Sequence, residues 1–315
     1  MASLMNKPRV SPGRQWSVVF ASLLPILEAG AKTSPRVISN PVKTEVPTVS
    51  DVMVESAAEV SPMSLEMEAR YSWSTALQDH KNVNVAESHF DLNLTGERRI
   101  SDSWIFQWSG IEDINKFEHA SPDMPDMLQY FAANLAVQYR VKSAVLFDLE
   151  IQPGWYSGEN ISEGTFNAPI TLVGALPLSD RFALTGGIYY LALTDGNNLF
   201  PLGGLVAEIN PQWEVNLTYP ELSVTYSPDE KQSLRFQTEE LINTYRTPVS
   251  GKSPMSVQYT QLRAGVTYER KFDNDWSIAF TAGWTFEKEL HFTDTHQTLK
   301  LDPAPFVQLH FLKFF

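Results

Sequence analysis

The chain predicts an all-β fold: one antiparallel sheet closed into a transmembrane outer-membrane barrel of about twelve strands, within a range of about 10–14. Three observations point to it. Long stretches alternate strictly between large apolar and small or polar residues, aromatic residues recur directly behind short polar turns, and the chain ends on an alternating segment with a terminal Phe315. Side chains of a strand point alternately to opposite faces, so each stretch has one apolar and one wettable face. The clearest is 276–286, where Trp276, Ile278, Phe280, Ala282, Trp284 and Phe286 share a face opposite Ser277, Ala279, Thr281, Gly283 and Thr285. A barrel would turn such a face to lipid, whereas a soluble sandwich would bury it against a second sheet.

From the amino terminus, Lys7, Arg9 and Arg14 precede an apolar segment at 16–27 and the small residues Ala29, Gly30 and Ala31. This is the pattern of a secretory signal peptide, residues 1–31. Residues 32–62 are rich in Pro, Ser, Thr, Val and Glu and hold no aromatic residue. They bury too little apolar surface to offset their ordering entropy, so a disordered periplasmic tail is expected, followed by the barrel at 63–315.

The first barrel strand sets Leu65, Met67, Ala69, Tyr71 and Trp73 against Glu66, Glu68, Arg70 and Ser72. Alternation continues at 90–95 and 104–108. Leu135, Val137 and Tyr139 oppose Gln138, Arg140 and Lys142, and Phe147, Leu149 and Ile151 oppose Asp148, Glu150 and Gln152. If these two segments pair, a basic row meets an acidic one across the ladder. Further strands are expected at 170–178, 182–193, 199–209, 213–219, 222–226, 232–237, 257–270 and 306–315. The segments 110–127, 154–167, 238–256 and 288–303 read as long loops, since Pro, Gly or charged residues interrupt them.

Four short polar turns are each followed at once by an aromatic residue: Trp104, Phe182, Trp213 and Trp276. That spacing predicts an interfacial aromatic girdle on the short-turn side. Phe315, with Phe311, Leu309 and Val307 on its face, resembles the terminal signal read by barrel-assembly machinery, although Lys313 departs from its pattern.

Composition narrows the function classes. The formal net charge is -13. Without residues 1–31, 21 basic residues face 36 acidic ones, a charge of -15. No basic cluster interleaved with aromatics occurs, which argues against nucleic acid as a partner. There is no cysteine, hence neither disulfide nor thiolate chemistry. No uninterrupted apolar run reaches the roughly 20 residues of a membrane-spanning helix.

The segments 213–220, ending Leu217-Thr218-Tyr219-Pro220, and 222–228, carrying Tyr226, together with the signal segment and the terminal aromatic, resemble a family of Gram-negative outer-membrane β-barrels known only as a domain of unknown function. The resemblance covers about residues 65–315 and implies location and fold. It implies no activity that could be carried onto residues.

Within the barrel, Glu66, Glu68, Arg70, Arg140, Lys142, Asp148 and Glu150 are the candidates to line the lumen, either as a charged pore or as a self-paired interior. At Pro220 the apolar phase flips, so either a bulge or a tight hairpin of two short strands lies there. About a dozen residues between the flanking turns are too few for two full crossings, which makes Pro220 the candidate for a lateral opening to lipid. His291, Asp294 and His296, with Glu289 nearby, have no enforced metal geometry, and no cofactor is expected. No G-x-S-x-G, Walker or H-E-x-x-H motif occurs. The expected function is non-enzymatic, a passive path for a small or apolar solute or a structural barrel, with outer-membrane lipid and the assembly machinery as partners. The alternatives are a lipid-modifying barrel enzyme and a secreted sandwich that binds polysaccharide.

Overall fold

In the computed structural model, the described residues are 63–315 apart from 79, 120, 122–123, 142–144, 159–160, 162, 180, 192–198, 248–254 and 273–274. The expected signal peptide and tail, and Lys142, lie outside them.

The chain forms β1 (Met63–Leu77), β2 (His80–Ser101), β3 (Trp104–Glu118), β4 (Met127–Val141), β5 (Val145–Ile151), β6 (Gly154–Ser157), β7 (Phe166–Asn167), β8 (Ile170–Ser179) and β9 (Phe182–Tyr190). It continues with β10 (Leu199–Asn210), β11 (Trp213–Thr218), β12 (Glu221–Asp229), β13 (Gln232–Thr247), β14 (Met255–Phe272), β15 (Trp276–Phe292), β16 (Gln297–Leu301) and β17 (Ala304–Phe314). β5 with β6, β7 with β8, and β16 with β17 each make one interrupted wall strand, giving fourteen antiparallel strands. That is the upper end of the expected range.

Closure is direct: β1 pairs with β17 from Ser64↔Phe314 to Ser72↔Phe306, while its other edge pairs with β2. A closed sheet leaves no edge strand to template aggregation, and it excludes the two-sheet sandwich. The backbone N–H of Phe315 donates to the Met63 carbonyl at 2.8 Å, which fastens the two ends of the described chain to each other.

Most of the segments read as loops are strand. β3 runs on to Glu118, β13 to Thr247, β15 to Phe292, and β16 occupies part of 288–303. The segment 154–167 is broken up by β6, a short 3-10 turn at Glu163–Thr165, and β7. The reason is an inversion of polarity along the barrel. At the short-turn end Trp73, Trp108, Phe280, Trp284 and Phe286 are exposed on the outer face, with polar side chains inside. Towards the other end Leu77, Phe117, Leu128, Leu290, Phe292, Leu299 and Leu301 are buried in a common core.

Two bulges mark the change. Pairing of β14 with β15 steps from Arg263↔Thr285 to Leu262↔Glu287, leaving Phe286 as the extra residue. In β1 it steps from Ser72↔Glu87 to Thr75↔Val85. A bulge shifts the alternation by one, so a sequence read in a single phase loses the strand there.

At the far end the wall also divides. β13 leaves β12 after Glu221↔Glu239 and meets β6 in a single parallel pairing, Arg246↔Ser157. The far half is therefore a narrower barrel around its own apolar core. Strands β8, β9 and β10 lie against the outside of β13, where Val173, Tyr189, Leu191 and Leu202 pack on Ile242. Sharp bending of these strands requires glycine. A Cβ on Gly204 would lie 2.3 Å from the Leu217 carbonyl oxygen, and one on Gly187 2.3 Å from that of Leu172.

Candidate functional site

The interior has three parts: a layer of ion pairs, an apolar core beyond it, and a low stretch of wall beside both. Glu87 is the hub of the layer. Its carboxylate accepts from Arg70 at 3.2 Å, from the Tyr259 hydroxyl at 2.9 Å and from Gln261 at 3.3 Å, and it pairs with the Lys288 ammonium. Lys288 also donates to Ser72 at 3.3 Å. A carboxylate held by two cations and two neutral donors is well compensated, which is what burial of charge demands.

Around this hub the pairs continue. The His89 ring lies 2.9 Å from Asp113 and 3.4 Å from Glu68, and Asn115 donates to Asp113 at 2.8 Å. Gln308 donates to Glu68 at 2.9 Å, His310 lies 2.7 Å from Glu66, and Arg263 pairs with Glu239 at 2.8 Å. Arg263 also stands over the Phe306 ring, 5.7 Å from its centre. Acids and bases thus neutralise one another across β1, β2, β3, β13, β14, β15 and β17.

Immediately beyond the layer the interior is filled. Phe117 meets Tyr259 edge-on with ring centres 5.7 Å apart, and Tyr130 stacks on Tyr156 at 5.0 Å. Tyr245, fully buried, lies 6.5 Å from Tyr156. These rings and the surrounding Leu, Val and Met side chains form one continuous apolar core across the far end.

The low wall is at β11 and β12. β11 is only six residues long. The phase flip at Pro220 is a tight hairpin, with Thr218↔Glu221 the last pair before the turn. The Tyr219–Pro220 bond is cis. The turn is bracketed on both sides: Tyr219 N–H donates to the Gly203 carbonyl at 3.1 Å, and Glu240 N–H to the Pro220 carbonyl at 3.4 Å. The Tyr219 hydroxyl donates to Glu240 at 2.5 Å. Above this turn no β11 or β12 residue fills the wall, and β10 meets β13 through Leu202 and Ile242.

Of the lumen candidates, Glu66, Glu68 and Arg70 belong to the ion-pair layer. Asp148 and Glu150 are buried on the inner face of β5, and Arg140 is half-buried near the short-turn end of β4. Two rows of opposite charge do not form. The register sets Gln138 opposite Asp148, Ala136 opposite Glu150 and Arg140 opposite Leu146. The sequence reading missed Glu87, His89, Asp113, Glu239, Arg263, Lys288 and His310. Glu87, Glu239 and Lys288 lay next to bulges or in presumed loops, where a single phase assigns no face.

The four aromatic residues stand on the outer face behind the short turns, and three have ring partners across the ladder. Trp104 lies 4.4 Å from Tyr139, Trp213 4.8 Å from Tyr226, and Trp276 stacks on Phe272 at 4.0 Å. Phe182 is exposed at the start of β9. His291 bonds Thr298 at 2.8 Å and Asp294 accepts from the Ser256 N–H at 2.9 Å. Among the described residues no group of three or more His, Cys, Asp or Glu side chains could hold a metal ion.

No family model and no curated protein matches the chain. Solved structures of similar outline include bacterial channels and transporters. One is an outer-membrane channel from Pseudomonas putida F1, 12% identical, covering 83% of this chain and 97% of that one with a TM-score of 0.48. Another is the Pseudomonas putida toluene transporter TodX, 10% identical, covering 82% and 90% with a TM-score of 0.42. A third is a Pseudomonas aeruginosa FadL homologue, 9% identical, covering 81% and 89% with a TM-score of 0.42. At these scores the likeness decides nothing about a solute, and the fold rests on the strand pairing itself.

Proposed function

We propose that the protein is a non-enzymatic outer-membrane channel in which an apolar solute moves sideways, between the lipid and the lumen, over the low wall at Pro220. The short-turn end with both described termini would face the periplasm, and the apolar outer face below the bulges would lie in lipid. The observation that carries the reading is the combination of a filled axis and a broken wall. The far end is occupied by a continuous apolar core, while the wall beside it falls to a six-residue strand. A transmembrane strand needs about 9 to 11 residues, so β11 is too short to cross the hydrocarbon. Above it Val173, Tyr189, Leu191, Leu202 and Ile242 close the wall by side-chain packing, a buried apolar contact that an apolar molecule would have to part.

What tests this is transport of two kinds of probe by the reconstituted protein. Octane uptake into proteoliposomes should exceed that of empty vesicles, while planar bilayers should show no stepwise ion conductance. Large regular conductance steps with no octane uptake would make it an axial pore instead.

A further inference from the structure

Where β13 leaves the wall, a side chain crosses the break. Below it, β12 and β13 are laddered as far as Glu221↔Glu239. Above it, the tip of the β11–β12 hairpin is fastened to the β9–β10 side. Tyr219 N–H donates to the Gly203 carbonyl at 3.1 Å, and the Thr185 hydroxyl donates to that of Thr218 at 3.4 Å. From that side the Tyr219 hydroxyl reaches over to β13 and donates to Glu240 at 2.5 Å. The backbone bond beside it, from Glu240 N–H to the Pro220 carbonyl, is long at 3.4 Å.

Glu240 also marks a threshold along β13. On the outer face of that strand Phe236 and Thr238 are exposed, Glu240 is 6% exposed, and Ile242 is fully buried against Val173, Tyr189 and Leu202. Glu240 is thus the first outer-face residue to be covered as the strand passes from the lipid-facing wall into the packed seam. Tyr219, 37% exposed, holds it from the lipid side. The two kinds of contact differ in character. Apolar packing on Ile242 is non-directional, so it can part and re-form without a fixed geometry. A hydrogen bond to a carboxyl group away from water is directional and strong, and it biases joined against parted states about tenfold or more.

We infer that Tyr219 is the latch of the lateral path: its bond to Glu240 holds the hairpin and the β8–β10 strands against β13, and an apolar solute passes while that bond is broken. The inference rests on the lateral-channel reading and supplies its gate. Closed, the seam is packed and dry. Open, the hairpin tip swings with β10, to which its backbone is tied, and Ile242 becomes reachable from the lipid. Loss of the hydroxyl removes the bias toward the closed state and leaves the apolar packing in place.

The test is thiol labelling of the full chain in phospholipid vesicles, since it has no cysteine of its own. An Ile242→Cys thiol is probed with N-pyrenylmaleimide, an apolar reagent that partitions into the bilayer. Adding Tyr219→Phe should speed labelling about tenfold, and adding Glu240→Gln, which keeps an acceptor, should speed it less. A Leu290→Cys thiol, in the separate far-end core, should label at one rate with and without Tyr219→Phe. Octane uptake by Tyr219→Phe proteoliposomes should rise with the labelling. Equal Ile242→Cys rates in every background would show that the bond holds nothing, and a rise at Leu290→Cys as large as at Ile242→Cys would show a barrel loosened as a whole. Either overturns the latch. Should Tyr219→Phe fail to give the heat-modifiable band, Glu240→Gln carries the same comparison. Faster labelling with uptake held at the rate of an active parent also overturns the gate. Faster labelling with no octane uptake by parent or variant leaves the latch and removes the channel reading alone.

Discussion

The hydroxyl of Tyr259 donates to the carboxylate of Glu87 at 2.9 Å, joining strands whose residues are 172 positions apart in the chain. The bond sits where the polar lumen gives way to the apolar core. It ties β14 to β2 across the interior, and through Arg70 and Lys288 it also holds β1 and β15. Four wall strands thus share one carboxylate.

Removing that carboxylate should cost more than any single apolar contact. Glu87→Ala leaves Arg70 and Lys288 buried without their shared partner, a loss of about 3–5 kcal/mol. Glu87→Gln keeps the shape and should lose less. The temperature at which the unboiled, fast-migrating gel band converts to the slow one measures both, with Ala lowest, Gln intermediate and the parent highest.

The far-end core should be what silences ion flow. Replacing both stacked rings, Tyr130→Ala with Tyr156→Ala, removes the pair whose centres lie 5.0 Å apart. Stepwise conductance should appear in planar bilayers for the double variant and be absent for the parent. Silence in both would place the seal elsewhere.

Raising the low wall should close the lateral path. Adding two residues to β11 and two to β12 keeps every side chain on its face, because the strand period is two. Octane uptake should fall towards that of empty vesicles without loss of the heat-modifiable band. Uptake that persists at the parent rate would discredit passage over Pro220.

The seam can also be fastened chemically, since the chain has no cysteine of its own. Leu202→Cys with Ile242→Cys places two thiols within the same buried cluster on β10 and β13. A short bifunctional thiol reagent should reduce octane uptake in this variant and leave the parent unaffected.

Gly204→Val should block assembly, not transport. Its first side-chain carbon would meet the Leu217 carbonyl oxygen at 2.3 Å, backbone that cannot step aside without breaking the β10–β11 ladder. The expected outcome is protein with a single gel band, boiled or unboiled.

Alternation in 276–286 and 65–73, the aromatic residues behind short turns and the terminal Phe315 were enough to establish strands, the barrel and its outer face. Each depends only on a period of two, which is local and legible in one dimension. The phase flip at Pro220 was legible too, because a dozen residues leave no room for two full crossings, and the structure resolves it as a tight hairpin behind a six-residue strand. Tertiary structure alone decided what fills the interior. Bulges at Phe286 and beside Ser72 shift the phase, so Glu87, Lys288 and Leu290 carry no readable face until the register is known. The pairing of Glu87 with Tyr259, and of Arg246 with Ser157, joins distant segments across the barrel. Closure of the sheet brings them together, and no local pattern encodes which inward side chains will meet.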